Sequence, residues 1–173
     1  MLQPERLRRE RVCDLPALRA AQATVVVAYG RLLPGELCAT PSRPALNVHY
    51  SLLPELRGAA PVQRALLGGR QTTGVTVQYV AEELDSGDIL LQQEVTIEPE
   101  EDAGALLTRL TEVGVPLLGR ALHLLESGQA PRLPQDPSRV TYAPALRLED
   151  TAVVWGQPAP VISNQIRACS PQP

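Results

Sequence analysis

The chain has 173 residues, 44% of them apolar and 20% charged, with a formal net charge of -3. One ordinary domain fits that length, with roughly 70% of its unfolded surface buried. The charge excludes a protein that holds nucleic acid by global attraction, because such binding needs clustered Lys and Arg.

Aromatic residues make up 3% and Phe is absent, so the core must be built from Leu, Val and Ala. Cys13, Cys38 and Cys169 are odd in number and widely scattered, which fits neither a disulfide framework nor a metal-ligand spacing. Met1 is followed by an Arg-rich stretch with Arg6, Arg8, Arg9 and Arg11, which Glu5 and Glu10 interrupt, and this reads as a solvated segment. With no apolar stretch of signal-peptide or membrane-span length, the expectation is a soluble, cytoplasmic protein with no membrane contact.

In chain order, residues 15–21 are weakly helical and lead into a β-branched run at 24–29, short enough for a buried parallel strand. Gly30 and Pro34 punctuate the chain, 35–39 suit a helical turn, and 45–50 read as a second strand. A loop at 51–58 precedes a short helix at 61–67, opened by Pro61 and closed by Gly68 and Gly69. Residues 73–79 set Val75, Val77 and Tyr79 against Thr76 and Gln78, the alternation of a half-buried strand. The next strand spans 89–97, and the acidic stretch 80–88 between them is too long for a two-residue hairpin and reads as an exposed loop.

Asp102 can cap the following helix, where Leu106, Leu107, Leu110, Val113, Leu117, Leu118, Ala121, Leu122 and Leu125 recur at three- and four-residue intervals and make a wide apolar face. Residues 130–137 hold three prolines, which remove donors and disfavour helix before them, so a linker is expected. Beyond it, 153–155 suit a strand and 161–168 a helix, a tail too small for its own core.

Two groups could carry chemistry. Asn47 and His49 are two apart on a strand, so both side chains leave one face, at the strand end where open α/β sheets bind ligands. An amide and an imidazole there could stabilise a carbonyl oxygen as it gains negative charge. Spacing alone reads equally as a strand-end Asn in a turn beside a buried, hydrogen-bonded His. Residues 84–88, Leu-Asp-Ser-Gly-Asp, could turn Asp85 into the same crevice, although such a sequence also forms ordinary turns. His123 lies within the long helix and carries no role.

Residues 47–64 read Asn-Val-His-Tyr-Ser-Leu-Leu-Pro-Glu-Leu-Arg-Gly-Ala-Ala-Pro-Val-Gln-Arg. This resembles the formyltransferase signature N-x-H-x-S-L-L-P followed by R-G-A-A-P-x-Q-R, as in the methionyl-tRNA formyltransferase family. Thr-Gly-Val-Thr at 73–76, Leu-Asp-Ser-Gly-Asp-Ile-Leu at 84–90, Val-Val-Ala-Tyr-Gly-Arg-Leu-Leu-Pro at 26–34 and Thr-Tyr-Ala-Pro at 141–144 fall in the same order. Glu55 and Leu56 depart from the family's usual basic residue and aromatic, and Tyr50 from its usual smaller residue.

The resemblance implies a partial Rossmann-like α/β fold, a mixed, mainly parallel sheet flanked by helices, with a Pro-rich C-terminal linker. It divides the chain into a truncated catalytic domain at 1–129, a linker at 130–147 and the start of a C-terminal domain at 148–173. Relative to the family, the opening strands, the insertion that reads the tRNA acceptor stem and the C-terminal β-barrel lie outside this chain. Strand 24–29 would then be an apolar edge inviting self-association.

It further implies transfer of a formyl group from 10-formyltetrahydrofolate, without a metal, to the amine of methionine on charged initiator tRNA. Asn47 and His49 would stabilise the oxyanion, and Asp85 would hold the imidazole and relay the amine proton. Arg31, Leu32 and Leu33, the loop carrying Val80, Glu82 and Leu84, and a wall of Ser51, Leu52, Leu53 and Pro54 would contact the folate. Other readings are a formyltransferase acting on a sugar-nucleotide amine, against which R-G-A-A-P-x-Q-R argues, and a noncatalytic remnant that binds folate.

Overall fold

A computed structural model describes residues 20–29 and 44–172 of the chain. The Arg cluster, Cys13, Cys38, most of the helix expected at 15–21, the helical turn at 35–39, and Arg31, Leu32 and Leu33 lie outside the described residues.

Four strands, β1 (Val25–Val27), β2 (Leu46–His49), β3 (Thr72–Tyr79) and β4 (Ile89–Thr96), form one sheet in that order. The mixed α/β architecture read from the sequence is the one found. Its parallel pairing is at the start, between β1 and β2, while β2 with β3 and β3 with β4 are antiparallel. β1 stands at the end of the described sheet, with Val25 39% and Val27 47% exposed.

Helix α1 (Pro61–Leu67) begins at a proline, whose fixed φ suits a first turn, and ends at Gly68. The long helix α2 (Ala103–Glu126) is capped by Asp102, whose Oδ1 accepts from the Ala105 amide at 2.8 Å. Leu106, Leu110, Leu117 and Ala121 are buried on one face of α2. A Cβ placed on Gly114 would lie 3.5 Å from Val75 and 3.6 Å from Val48, so this face rests in van der Waals contact with β2 and β3.

Two expectations change. β3 is buried on both faces, not one: Thr76 and Gln78 are as inaccessible as Val75 and Val77. A loop covers the polar face and satisfies it internally: the Thr76 hydroxyl donates to the Ser51 carbonyl at 2.6 Å and accepts from the Leu53 amide at 3.2 Å. Residues 153–155 form no strand, and Trp155 is 82% exposed. They sit between two helices, α3 (Leu148–Thr151) and α4 (Ala159–Ala168), where nothing offers a ladder partner. The tail needs no core of its own because α4 packs against α1 and buries Ala168 in the common core.

Residues 130–147 have little regular structure beyond a 3-10 turn at Pro137–Arg139, yet they are bound to the body throughout. Leu133 and Ile89 exchange two backbone hydrogen bonds, of 2.8 and 3.0 Å. The Arg57 amide donates to the Thr141 carbonyl at 2.9 Å, and the Ala143 amide to the Arg57 carbonyl at 2.7 Å. Arg64 grips the Pro144 and Ala145 carbonyls and the Asp150 carboxylate. Glu55 pairs with Arg70 and, at 2.9 Å, with Arg139.

Arg70 first and then Arg139 hold the Glu55 carboxyl below the usual carboxylate range, as Arg64 does for Asp150 and Arg109 for Glu101. Depressed folded-state values mean that these pairs stabilise above the unfolded-state value and lose that contribution as pH falls through the folded value. Thermal melts should therefore hold level from neutral pH to about 5 and fall below about 4, less steeply for Glu101→Gln. Leu110→Ala, at a position with no exposure, should lower the unfolding free energy by about 2–5 kcal/mol. Val115→Ala, at a 68% exposed position, should stay within about 0.5 kcal/mol in the same denaturant titration.

Candidate active site

The register of the central strands sets the site. Asn47 pairs with Gln78 and His49 with Thr76. Cross-strand partners share a face, so these four side chains project together from the sheet, opposite the face that α2 covers.

Asp85 arrives from the loop after β3, which folds back on the strand end. A Cβ on Gly87 would meet the Tyr79 carbonyl oxygen at 1.8 Å, a contact only glycine permits. Asp85 itself takes a left-handed backbone, φ 52°, which Asp tolerates better than most residues. Its carboxylate then meets three donors: Oδ1 accepts from Asn47 Nδ2 at 3.2 Å and Gln78 Nε2 at 3.0 Å, and Oδ2 from the Gly58 amide at 2.9 Å. His49 Nδ1 stands 3.6 Å from Oδ2, with both side chains under 10% exposed (7% and 9%).

On the other side of the ring, His49 Nε2 lies 2.8 Å from the Leu56 carbonyl. A carbonyl only accepts, so Nε2 carries a hydrogen, and in the neutral ring Nδ1 is the bare nitrogen facing Asp85. Leu56 also takes a left-handed backbone, φ 60°, and its amide donates to Thr141 Oγ1 at 2.9 Å. Gln135 Nε2 donates to the Asp85 carbonyl at 2.9 Å and the Gly87 carbonyl at 2.7 Å, and its Oε1 accepts from Arg57 Nε and Nη2 at 3.0 and 2.6 Å.

These groups open onto a cavity of about 890 Å³. Ala28, Val48, Pro61, Val62 and Leu84 supply apolar wall, and Asn47, His49 and Asp85 supply the polar end. That size and lining are those of a small-molecule site. Asn47, His49 and Asp85 thus come together, and Glu82 and Leu84 share the cavity with them. Ser51, Leu52, Leu53, Pro54 and Val80 do not line it. The Ser51 hydroxyl and the Leu53 backbone are spent on Glu55, Thr76 and Gln92, beneath the loop, and the Val80 amide is spent on the Ala45 carbonyl.

Spacing could not identify Gly58, Gln78, Arg57 or Gln135. Gln78 carried one signal, its place with Thr76 on the polar side of an alternating strand. Among the described residues no group of His, Cys, Asp and Glu could hold a metal ion, and no helix is long and apolar enough to cross a membrane.

A formyl transferase family profile matches residues 1–122. The methionyl-tRNA formyltransferase of Moorella thermoacetica is 48% identical over 165 residues, 95% of this chain and 53% of that protein. That of Syntrophus aciditrophicus is 44% identical over 173 residues, 100% of this chain and 55% of that protein. The chain spans about half the length of these curated relatives. Among solved structures, HypX from Aquifex aeolicus in complex with tetrahydrofolic acid has a TM-score of 0.79 at 22% identity, over 91% of this chain and 27% of that one. The N-formyltransferase from Helicobacter canadensis in complex with folinic acid and dTDP-3-aminofucose has a TM-score of 0.67 at 22% identity, over 71% of this chain and 46% of that one. At this identity the two structures share a fold with the chain, which does not carry function with it.

The close approach at residue 87 gives a test of the site's architecture. Gly87→Ala, against the Tyr79 carbonyl, should cost about 1–3 kcal/mol in chemical denaturation. Gly119→Ala, inside α2 with nothing within 4 Å, should instead stabilise by about 0.5–1 kcal/mol.

Proposed function

The chain belongs to the formyl transferase family, and from that premise we propose that it transfers a formyl group from 10-formyltetrahydrofolate to the amine of methionine on charged initiator tRNA. The observation that carries the reading is the convergence of Asn47, His49 and Asp85 at the polar end of one cavity. The choice of acceptor is supported by the curated relatives, whose names specify methionyl-tRNA.

The cavity suits the donor in size, and its apolar walls, Leu84 among them, suit a flat heterocycle. Glu82 and Leu84, with residues 31–33 by family likeness, are the proposed folate contacts. When bound, the donor supplies the formyl carbon and leaves as tetrahydrofolate. The chain's own groups manage charge and protons. One Asn47 Nδ2 hydrogen is engaged by Asp85, leaving the second to donate to the formyl oxygen as negative charge grows there. The attacking amine must lose a proton, and the bare Nδ1 of His49 beside Asp85 can receive it through water. The ring so formed would keep its hydrogen bond from Nε2 to Leu56 O, would face the Asp85 carboxylate 3.6 Å from Nδ1 as an ion pair, and would add positive charge near the formyl oxygen. The same proton is then returned to the departing folate nitrogen, so the cycle balances.

Three measurements on the whole chain test this. Saturating tetrahydrofolate should raise the melting temperature, since a ligand bound only by the folded form stabilises it; no shift would refute the folate site. Radiolabelled formyl transfer should appear on charged initiator tRNA and not on an amino-sugar nucleotide, and the reverse would move the chain to another acceptor. Asp85→Asn, which keeps shape and removes charge, should slow transfer by about 10²- to 10⁴-fold, and Asn47→Ala by about 10²- to 10³-fold.

A further inference from the structure

We infer that Gln135, in the Pro-rich segment outside the catalytic motifs, is a positioning residue for Asp85, and that residues 133–143 form a strap that orients both neighbours of the His49 ring. This rests on the function proposed above and extends it to a part of the chain that contributes no cavity wall until Tyr142.

The Gln135 amide is fully used and its orientation is fixed by chemistry. Arginine only donates, so the atom receiving Arg57 Nε and Nη2 is the oxygen. The nitrogen therefore faces the Asp85 and Gly87 carbonyls, with the Gln78 oxygen at 3.3 Å. One side chain thus ties the two ends of the turn that presents the carboxylate. Asp85 needs such a tie because its carboxylate must meet Asn47, Gln78 and the Gly58 amide at once, from a left-handed backbone that Asp visits but does not prefer. Gln135 does not line the cavity, so its effect must pass through Asp85.

The strap is anchored on both sides of this contact. Leu133 pairs with Ile89 at the root of β4, and Asp136 Oδ1 accepts from the Ser138 amide at 2.9 Å, holding the next turn. At the far end Thr141 Oγ1 receives the Leu56 amide, and the Leu56 carbonyl receives His49 Nε2. Thus the carboxylate facing Nδ1 and the carbonyl facing Nε2 are both set by residues 135–141.

Gln135→Met keeps the length and removes donors and acceptor, while Gln135→Glu keeps an acceptor for Arg57 and turns an oxygen toward two carbonyls. Both should lower kcat for formyl transfer by about 10- to 100-fold with KM nearly unchanged, because a small misplacement of a reacting group costs that much. Amide hydrogen exchange at 84–88 should quicken while β3 and β4 core amides keep their protection, and the His49 ring nitrogens should shift in 15N spectra. In an Asp85→Asn background, Gln135→Met should add no further loss, as expected for residues acting as one unit. A full additive loss there, unchanged exchange at 84–88, or a uniform loss of protection across the sheet would each overturn the assignment. Should the unaltered chain transfer no formyl group, the functional reading fails alone, because exchange and 15N shifts still decide what Gln135 does.

Discussion

A carboxylate taken out of water must find its donors inside the protein, and in this chain Asp85 finds them in three separate places. Asn47 comes from β2, Gln78 from β3 and the Gly58 amide from the loop beyond β2. A buried charge left without such partners is costly, by far more than a neutral group. The sheet register, the loop path and the turn after β3 must therefore all be right at once for the fold to tolerate Asp85. Holding this carboxylate and building the site are the same task.

The signature R-G-A-A-P-x-Q-R has a physical reading on this basis. Its members receive the strap. Arg57 brackets the strap with its amide on the Thr141 carbonyl and its carbonyl on the Ala143 amide, and the Ala60 amide donates to the Ala143 carbonyl at 3.0 Å. Gly58, at φ 124°, lies where a Cβ would stand 2.7 Å from that carbonyl oxygen, so no larger residue allows the approach. Arg64 then takes the next two carbonyls, of Pro144 and Ala145. Two motifs some eighty residues apart in the chain, 57–64 and 141–145, are the halves of one contact. Glu55 takes part as well, because its pairing with Arg139 closes the middle of the strap.

What could be read from the sequence was what repeats locally. Helix 61–67 was legible from a proline and two glycines, and α2 from its leucine spacing and the Asp102 cap. The covered polar face of β3 was not legible, because alternation looks the same whether the polar side meets water or a loop that satisfies it. Val153 and Val154 suggested a strand by residue type, but a strand exists only where a neighbour offers a ladder. The site was harder still: Asn47 and Asp85 meet across 38 positions, Gly58 and Asp85 across 27, and Gln135 and Asp85 across 50. No spacing rule spans such distances, and Asp-Ser-Gly-Asp taken alone is a turn. Only the ordered run of motifs joined Asn47, His49 and Asp85, and it could not reach Gln135, whose proline neighbours mark it as connector.

Two of the left-handed residues at the site, those on either side of the His49 ring, show why the connector matters. Leu56 adopts a backbone that costs such a residue roughly 1–2 kcal/mol, and Asp85 one that Asp reaches at lower cost. Each is also held from outside its own turn: the Asp85 carbonyl by Gln135, the Leu56 amide by Thr141 and the Leu56 carbonyl by His49. A hydrogen bond contributes about 0.5–1.5 kcal/mol net, so the two bonds to Leu56 are of the size needed to offset its strain. Local preference would relax both turns, carrying the carboxylate from one side of the imidazole and the carbonyl from the other. The geometry on either side of His49 is therefore a tertiary property, maintained by a segment with almost no secondary structure.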